Sequence, residues 1–157
     1  MKYKAKASEE MKAMLARAEE VVEEGEENSS VLREPEAAYM VEKVRDGLDF
    51  TEFHAFREMI GVTEERLGAL LGMSRATLHR RKKTGHLDRS ESDRLVRYAR
   101  IFHCVSAFFQ SPQAAAKWLN SPAIAFNGET PLDYADTEIG AREVEALIWR
   151  IENGVPN

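Results

Sequence analysis

EERLGALLGMSRATLHRRKK, Glu64 to Lys83, is the stretch that decides the fold. Leu67, Leu70 and Leu71 recur at helical spacing and give a first short helix one apolar face. Gly68 has no side chain, which suits a point where two helix backbones cross closely. Gly72 can take positive φ at no steric cost, so it can end that helix and reverse the chain. Met73 then enters the core, and Ser74 is placed to cap a second helix with its hydroxyl. Leu78 faces inward, while Arg75, Ala76, His79, Arg80 and Lys83 face outward. The pattern predicts a helix-turn-helix with Ser74 to Lys83 as the recognition helix.

That assignment carries a set of expected nucleic-acid contacts. Arg75, Ala76 and His79 lie near the helix N-terminus, the part that reaches base edges in the major groove. Ser74 and Thr77 lie beside them, and Thr77, Arg80, Arg81 and Lys83 suit phosphates. The alternative is a basic, solvated helix in an ordinary bundle. The small residue, the glycine and the N-cap at this spacing favour the DNA-binding reading.

Charge distribution supports it. The chain of 157 residues has a net charge of −5, which by itself argues against a polyanionic partner. Residues 61–104, however, hold 10 Lys and Arg against 5 Asp and Glu. The flanks are acidic, at −6 for residues 1–60 and −4 for residues 105–157. Phosphate contact depends on the local field, so the basic middle segment outweighs the total.

The chain is expected to be all-α, since no stretch alternates as a strand does. The expected organisation is an acidic, helical N-terminal arm at 1–30, a helical domain with the helix-turn-helix at 31–105, and a small helical domain at 106–157. In the arm, Met11, Met14, Leu15, Ala18, Val21 and Val22 form a thin stripe, and 25–30 reads as a linker. Pro35 opens a helix that Gly47 closes, with Ala38, Val41 and Val44 on its buried side, beside Tyr39 and Met40. Thr51 is expected to cap a helix burying Phe53, Phe56 and Ile60, and Thr63 to cap the next.

After Thr84-Gly85, Ser90 with Asp93 reads as a capping signal for a long helix burying Leu95, Tyr98, Ala99, Phe102, Val105 and Phe109. Arg94, Arg97 and Arg100 lie off that stripe and suit either flanking phosphates or plain solvation. Ser111-Pro112 and Thr130-Pro131 each read as a cap followed by a first-turn proline, and Gly140 as punctuation. The last helix shows Val144, Leu147, Ile148 and Ile151 in register and stops at Gly154. Trp149 lies off its stripe, as a partner anchor or as packing on a neighbouring helix.

No enzyme and no cofactor are expected. His103 and Cys104 are adjacent, so on a helix their side chains diverge by about 100°. They read as core-edge residues, and the other histidines lack metal-ligand spacing. Cys104 is the single cysteine, which leaves no disulfide framework. The absence of an apolar core in MKYKAKASEEMKAML and of a long apolar run points to a cytoplasmic location without membrane contact.

LGALLGMSRATLHRRKKTGHLDRSESDRLVRYARIF (Leu67–Phe102) and WLNSPAIAFNGETPLDYADTEIGAREVEALIWRIENGV (Trp118–Val155) resemble the Xre-type antitoxins of RES–Xre toxin–antitoxin modules, in the Xre/MbcA/ParS group. The likeness runs from roughly Phe50 to Val155. The second stretch is the more specific, through Trp118-Leu119, Pro122, Gly128, Thr130-Pro131-Leu132, Thr137, Gly140, Val144, Leu147 and Gly154. The resemblance implies a toxin-binding domain there. It implies neutralisation of a RES-domain, NAD-consuming toxin, and repression of the module's own promoter with the toxin as co-repressor.

On that reading Trp149, Arg150, Glu152, Asn153 and the Val155-Pro156-Asn157 tail are the candidate toxin contacts, with the tail entering the toxin's active site. A homodimer within a larger complex is expected, because paired recognition helices read symmetric operators. A stand-alone transcription regulator, and an adaptor that has lost DNA binding, are the alternatives.

Overall fold

The structure, a computed structural model, describes residues 33–155, with side chains from Ala38 onward. The expected N-terminal arm and linker lie outside the described residues. The described residues are helical: α1 (Arg33–Asp46), α2 (Phe50–Ile60), α3 (Glu64–Leu70), α4 (Arg75–Thr84), α5 (Arg89–Phe109), α6 (Pro112–Leu119), a 3₁₀ turn (Ile124–Phe126), α7 (Pro131–Tyr134) and α8 (Glu138–Glu152). No helix among them is long and apolar enough to cross a membrane.

Helix α5 is the axis of the molecule. Its 21 residues span about 31 Å, and α1, α2, α6 and α8 pack on it. It buries Leu95, Tyr98, Ala99, Ile101, Phe102 and Val105, while Phe109 is half-buried. Phe53, Phe56 and Ile60 of α2 are fully buried, and Phe56 meets Phe102 edge to face at 6.2 Å. Burying each such side chain contributes about 1.5–3 kcal/mol, so this junction carries much of the stability.

Several helix starts follow the sequence reading: Thr63, Ser74, Ser111 and Thr130 each accept a first-turn amide. Others do not. Asp49, not Thr51, caps α2 and accepts from the Thr51 amide and hydroxyl. Asp88, not Ser90, caps α5, in a capping box with Glu91. In both cases the helix begins earlier than expected, because an aspartate upstream competes for the same free amides.

The expected buried side of α1 is a further correction. Ala38, Tyr39 and Val41 are exposed, and Met40 and Val44 are only half-buried. Only one edge of α1 meets α5, and Gly47 then ends the helix at φ +92. The following chain pairs with the segment after α4. Leu87 N–H donates to Leu48 O at 2.8 Å, and Phe50 N–H to Gly85 O at 2.8 Å. Ile151 is about half exposed although it continues the Val144–Leu147–Ile148 stripe, so α8 runs beyond the surface that covers it.

Gly140 is not a break. It lies in the first turn of α8, whose cap is Thr137. A Cβ there would stand 1.9 Å from Tyr134 O, so glycine allows α7 and α8 to approach. Gly140→Ala is expected to lower unfolding free energy by about 1–3 kcal/mol, read by denaturant titration. An unchanged midpoint would show that the α7–α8 contact yields freely.

Candidate nucleic-acid and protein interfaces

The turn between α3 and α4 is built as the sequence implies. Gly72 takes φ +78, and Leu71, Met73 and Leu78 are buried. A Cβ on Gly68 would meet Leu78 Cδ2 at 3.3 Å, so the two helices cross at this glycine. Ser74 Oγ accepts from Thr77 N–H at 3.1 Å and donates to Thr77 Oγ1 at 3.0 Å. Both hydroxyls are therefore engaged in starting the helix.

Arg75, Ala76, His79, Arg80 and Lys83 are exposed on one side of α4. Among the described residues the three cations have no ion pair, which leaves them available to an external anion. Arg81 is different. Its Nε lies 2.7 Å from Glu91 Oε2 and its Nη2 2.6 Å from Asp88 Oδ2, with the side chain only 17% exposed. It ties α4 to the start of α5 rather than facing solvent, which corrects its expected place among the phosphate contacts. At about 100° per residue Arg81 lies about 60° from Leu78 and about 160° from His79, a signal already present in the helical register.

Lys82 is also engaged, with Nζ 2.5 Å from Glu64 Oε2 on α3. The hydrogen bond from Lys82 holds the Glu64 carboxyl below its ordinary range, against burial. So the basic tetrad supplies two outward cations, Arg80 and Lys83, and two braces.

Three arginines of α5, Arg94, Arg97 and Arg100, are engaged within the chain. Arg94 Nη1 donates to Leu71 O at 2.9 Å, ending α3. It passes over Gly72, where a Cβ would lie 1.8 Å from the same nitrogen. Arg97 donates to Asp136 O at 3.0 Å and to Glu138 at 3.2 Å. Arg100 reaches Glu145 at 2.7 Å and Glu138 at 3.0 Å. Arg66 of α3 pairs with Asp133 of α7 at 2.7 Å. These four side chains bind the helix-turn-helix, α5 and the C-terminal helices together.

The lock is acid-sensitive. Burial raises the Glu138 carboxyl, but Arg100, Arg142 and Arg97 outweigh it and hold it below its ordinary 4.5. Burial likewise raises Asp133, and Thr130 and Arg66 outweigh that, holding it below 3.8. A depressed folded pKa contributes stability fully above the ordinary value and loses it as pH falls through the folded one. Denaturant midpoints are therefore expected to drop between about pH 6 and about pH 3. Glu138→Gln should shrink that drop; the same pH profile in the variant would exclude this carboxylate as a contributor.

Helix α8 presents the candidate protein contacts. Val144, Leu147 and Ile148 are buried, while Ile139, Trp149 and Val155 are exposed. Arg150 is half-buried, and Glu152 and Asn153 are exposed. Asn153 Nδ2 donates to Trp149 O at 2.8 Å. Gly154 takes φ +64, and Val155 N–H donates to Arg150 O at 2.9 Å, which closes the helix and folds the chain back. Pro156 and Asn157 lie outside the described residues. Trp149, Ile151 and Val155 thus surround the end of α8 as exposed apolar groups. His103 and Cys104 are half-buried on α5, and burial, with Glu145 and Glu152, pushes the thiol up, which disfavours a reactive thiolate. Among the described residues no group of His, Cys, Asp and Glu is placed to hold a metal ion.

Two family models match this arrangement. Residues 40–100 match the antitoxin Xre-like helix-turn-helix domain, and residues 105–154 match the antitoxin Xre/MbcA/ParS C-terminal toxin-binding domain. The chain belongs to the Xre/MbcA/ParS antitoxin family. It is similar to Antitoxin Xre of Photorhabdus laumondii, 38% identical over 72 residues, which are 45% of this chain and 49% of that one. Antitoxin Xre of Pseudomonas putida is 38% identical over 64 residues, 41% of this chain and 40% of its own. That of Yersinia enterocolitica is 32% identical over 83 residues, 52% and 56% of the two chains. The chain thus spans about half the length of the curated relatives it matches. The family's two domain types coincide with the α4 face and the α8 face described above.

Proposed function

We propose that the chain is the antitoxin of a type II toxin–antitoxin module. It neutralises a cognate RES-domain, NAD-degrading toxin by covering the toxin's active site with α8 and the tail. It also represses its own promoter through α4. It acts in the cytoplasm, as a homodimer within a larger complex, and has no catalytic role of its own. The observation that carries the reading is the exposed apolar end of α8, at Trp149, Ile151 and Val155, in the segment matching a toxin-binding domain. Exposed aromatic and aliphatic groups at one place are what a partner covers.

In this reading Trp149, Arg150, Glu152, Asn153, Val155, Pro156 and Asn157 contact the toxin. Arg75 reads a guanine edge, Ala76 and His79 lie against bases, and Arg80 and Lys83 take phosphates. Ser74 and Thr77 shape the N-terminus of the reading helix and Arg81 braces it. Two copies would set their α4 helices about 34 Å apart, one turn of DNA.

Co-expression with the neighbouring reading frame tests it. A growth defect relieved by this chain, with a stable complex on pull-down, is the expected result; a harmless neighbour that does not bind rejects it. Truncation must respect the core. Removing everything from Val144 would delete the buried Val144, Leu147 and Ile148 and unfold the domain, so the informative cut follows Asn153.

A second reading, a stand-alone transcription regulator, draws support from the α4 face, which is complete within one chain. Salt-sensitive promoter binding without any partner, and no toxic neighbour, would favour it.

A further inference from the structure

Helix α1 leads into the DNA-binding pair, yet none of its described side chains is buried. Met40 and Val44 are half-buried toward α5. On the other side Ala38, Val41, Glu42 and Arg45 are all exposed and recur at i, i+3, i+4 and i+7. At about 100° per residue they fall within a stripe about 100° wide, the seam by which one helix lies along another. Tyr39 flanks it, 55% exposed, and Val41 is 47% exposed. Lys43 Nζ stands 5.5 Å from the centre of the Tyr39 ring and holds it beside the seam. An open concavity of about 530 Å³ lies here, lined among the described residues by Ala38, Tyr39, Val41, Glu42 and Arg45.

Glu42 and Arg45 stand one turn apart on this seam, and among the described residues neither has an ion pair. One acid and one base on a single seam are self-complementary. A two-fold axis passing between them sets each Glu42 against Arg45 of a second copy, so that both pairs form together. A partner of another sequence would have to present a base and an acid in the same reversed order, whereas a second copy carries them by symmetry. The position of α1 gives such a pairing a consequence. The chain after Gly47 is bonded to the segment after α4, through Leu87 N–H to Leu48 O and Phe50 N–H to Gly85 O, each 2.8 Å. A contact that fixes α1 to a second copy therefore fixes two α4 helices relative to each other. One α4 alone reads only half of a symmetric operator.

We propose that α1 is the surface through which two copies of this chain pair. The Ala38–Arg45 seams pack antiparallel around a two-fold axis. Tyr39 and Val41 form the apolar centre, Ala38 is the small residue that lets the helices approach, and reciprocal Glu42–Arg45 ion pairs close the contact. This surface rests on the homodimer of the proposed function and deepens it, since it names the residues that make the pair.

The test is the molar mass of the full chain, with neither toxin nor DNA, by light scattering and sedimentation equilibrium across concentrations. The unaltered chain is expected to reach twice the mass of one chain. Val41→Asp should raise the dimer dissociation constant about 30-fold or more, because it puts a charge into both halves of the apolar centre. Glu42→Arg and Arg45→Glu should each raise it about 10-fold or more, since the two-fold axis doubles every loss. Glu42→Arg with Arg45→Glu in one chain should return it to within about 3-fold of the unaltered value, because the reversed pairs match again. Ile124→Ser removes a 99% exposed apolar group from the 3₁₀ turn and should dimerise as the unaltered chain does. Circular dichroism checks that each variant is folded. A dimer that Val41→Asp and the single reversals leave unchanged would overturn the α1 surface alone. Single reversals that weaken the dimer with no recovery in the double variant would overturn the reciprocal pairing. A monomeric unaltered chain would overturn the homodimer reading as well, and a loss of thermal stability in Val41→Asp would then point to residues 1–32 of the same chain as the occupant of the seam.

Discussion

Changing Arg75, Arg80 and Lys83 together to Ala is expected to reduce promoter affinity by about 10²-fold or more at moderate salt. The three are exposed and, among the described residues, unpaired within the chain. A cation on a phosphate contributes by releasing condensed counterions, so each one lost lowers the salt slope by about 1. A bidentate arginine on a guanine contributes about 1–3 kcal/mol of discrimination. The combined effect thus appears as lower affinity, a shallower salt dependence and weaker preference for the operator over random DNA.

Arg81→Ala provides the contrast. Its guanidinium is held by Glu91 and Asp88, and Glu91 is itself buried. Losing it should cost stability and leave the salt slope nearly unchanged. If Arg81→Ala flattens the slope as the outward cations do, or the triple variant binds normally, α4 does not meet DNA through this face. A filter-binding or anisotropy titration across salt concentrations decides it.

Phe56→Ala is expected to lower the unfolding free energy by about 3–5 kcal/mol. Phe56 is fully buried where α2 meets α5, edge-on to Phe102. Truncation removes its transfer free energy and the aromatic contact, and leaves a cavity that two helices and their connections cannot easily close. Against a total of about 5–15 kcal/mol for a domain of this kind, that is a large fraction. Ile151→Ser should change the same midpoint by well under 1 kcal/mol, because Ile151 is about half exposed at the end of α8. Equal effects at the two positions would mean that burial does not order their contributions. Chemical denaturation of both variants supplies the comparison.

The helix-turn-helix was legible from Leu67, Gly68, Gly72, Ser74 and Leu78 because each acts within a few residues of its neighbours. Apolar spacing, a positive-φ glycine and a hydroxyl cap are local properties of the chain. The outward position of Trp149 was legible in the same way, whereas the toxin-binding character of Trp118–Val155 came only from resemblance to a known family. The starts of α2 and α5 each lie two residues before the expected caps, because Asp49 and Asp88 compete with Thr51 and Ser90 for the same free amides. Which one wins depends on where the incoming chain is held, and Leu48–Phe50 is held by pairing with Gly85–Leu87.

The sequence by itself determined an all-α chain, a basic second helix of the helix-turn-helix at Ser74–Lys83 and an acidic C-terminal region with an off-stripe tryptophan. Helical periodicity and capping are short-range, so they survive without knowledge of the fold. Only the tertiary structure decided which charges are free. Arg81, Lys82, Arg94, Arg97 and Arg100 look like their exposed counterparts in sequence, yet each is held by an acceptor 10 to 45 residues away. The same holds for apolar faces. Val41 and Ile151 read as core and are exposed, because a helix buries only as much of its stripe as its neighbours cover. Charge pairing and burial are set by the relative placement of whole helices, and that placement comes from the sum of distant contacts rather than from any one segment.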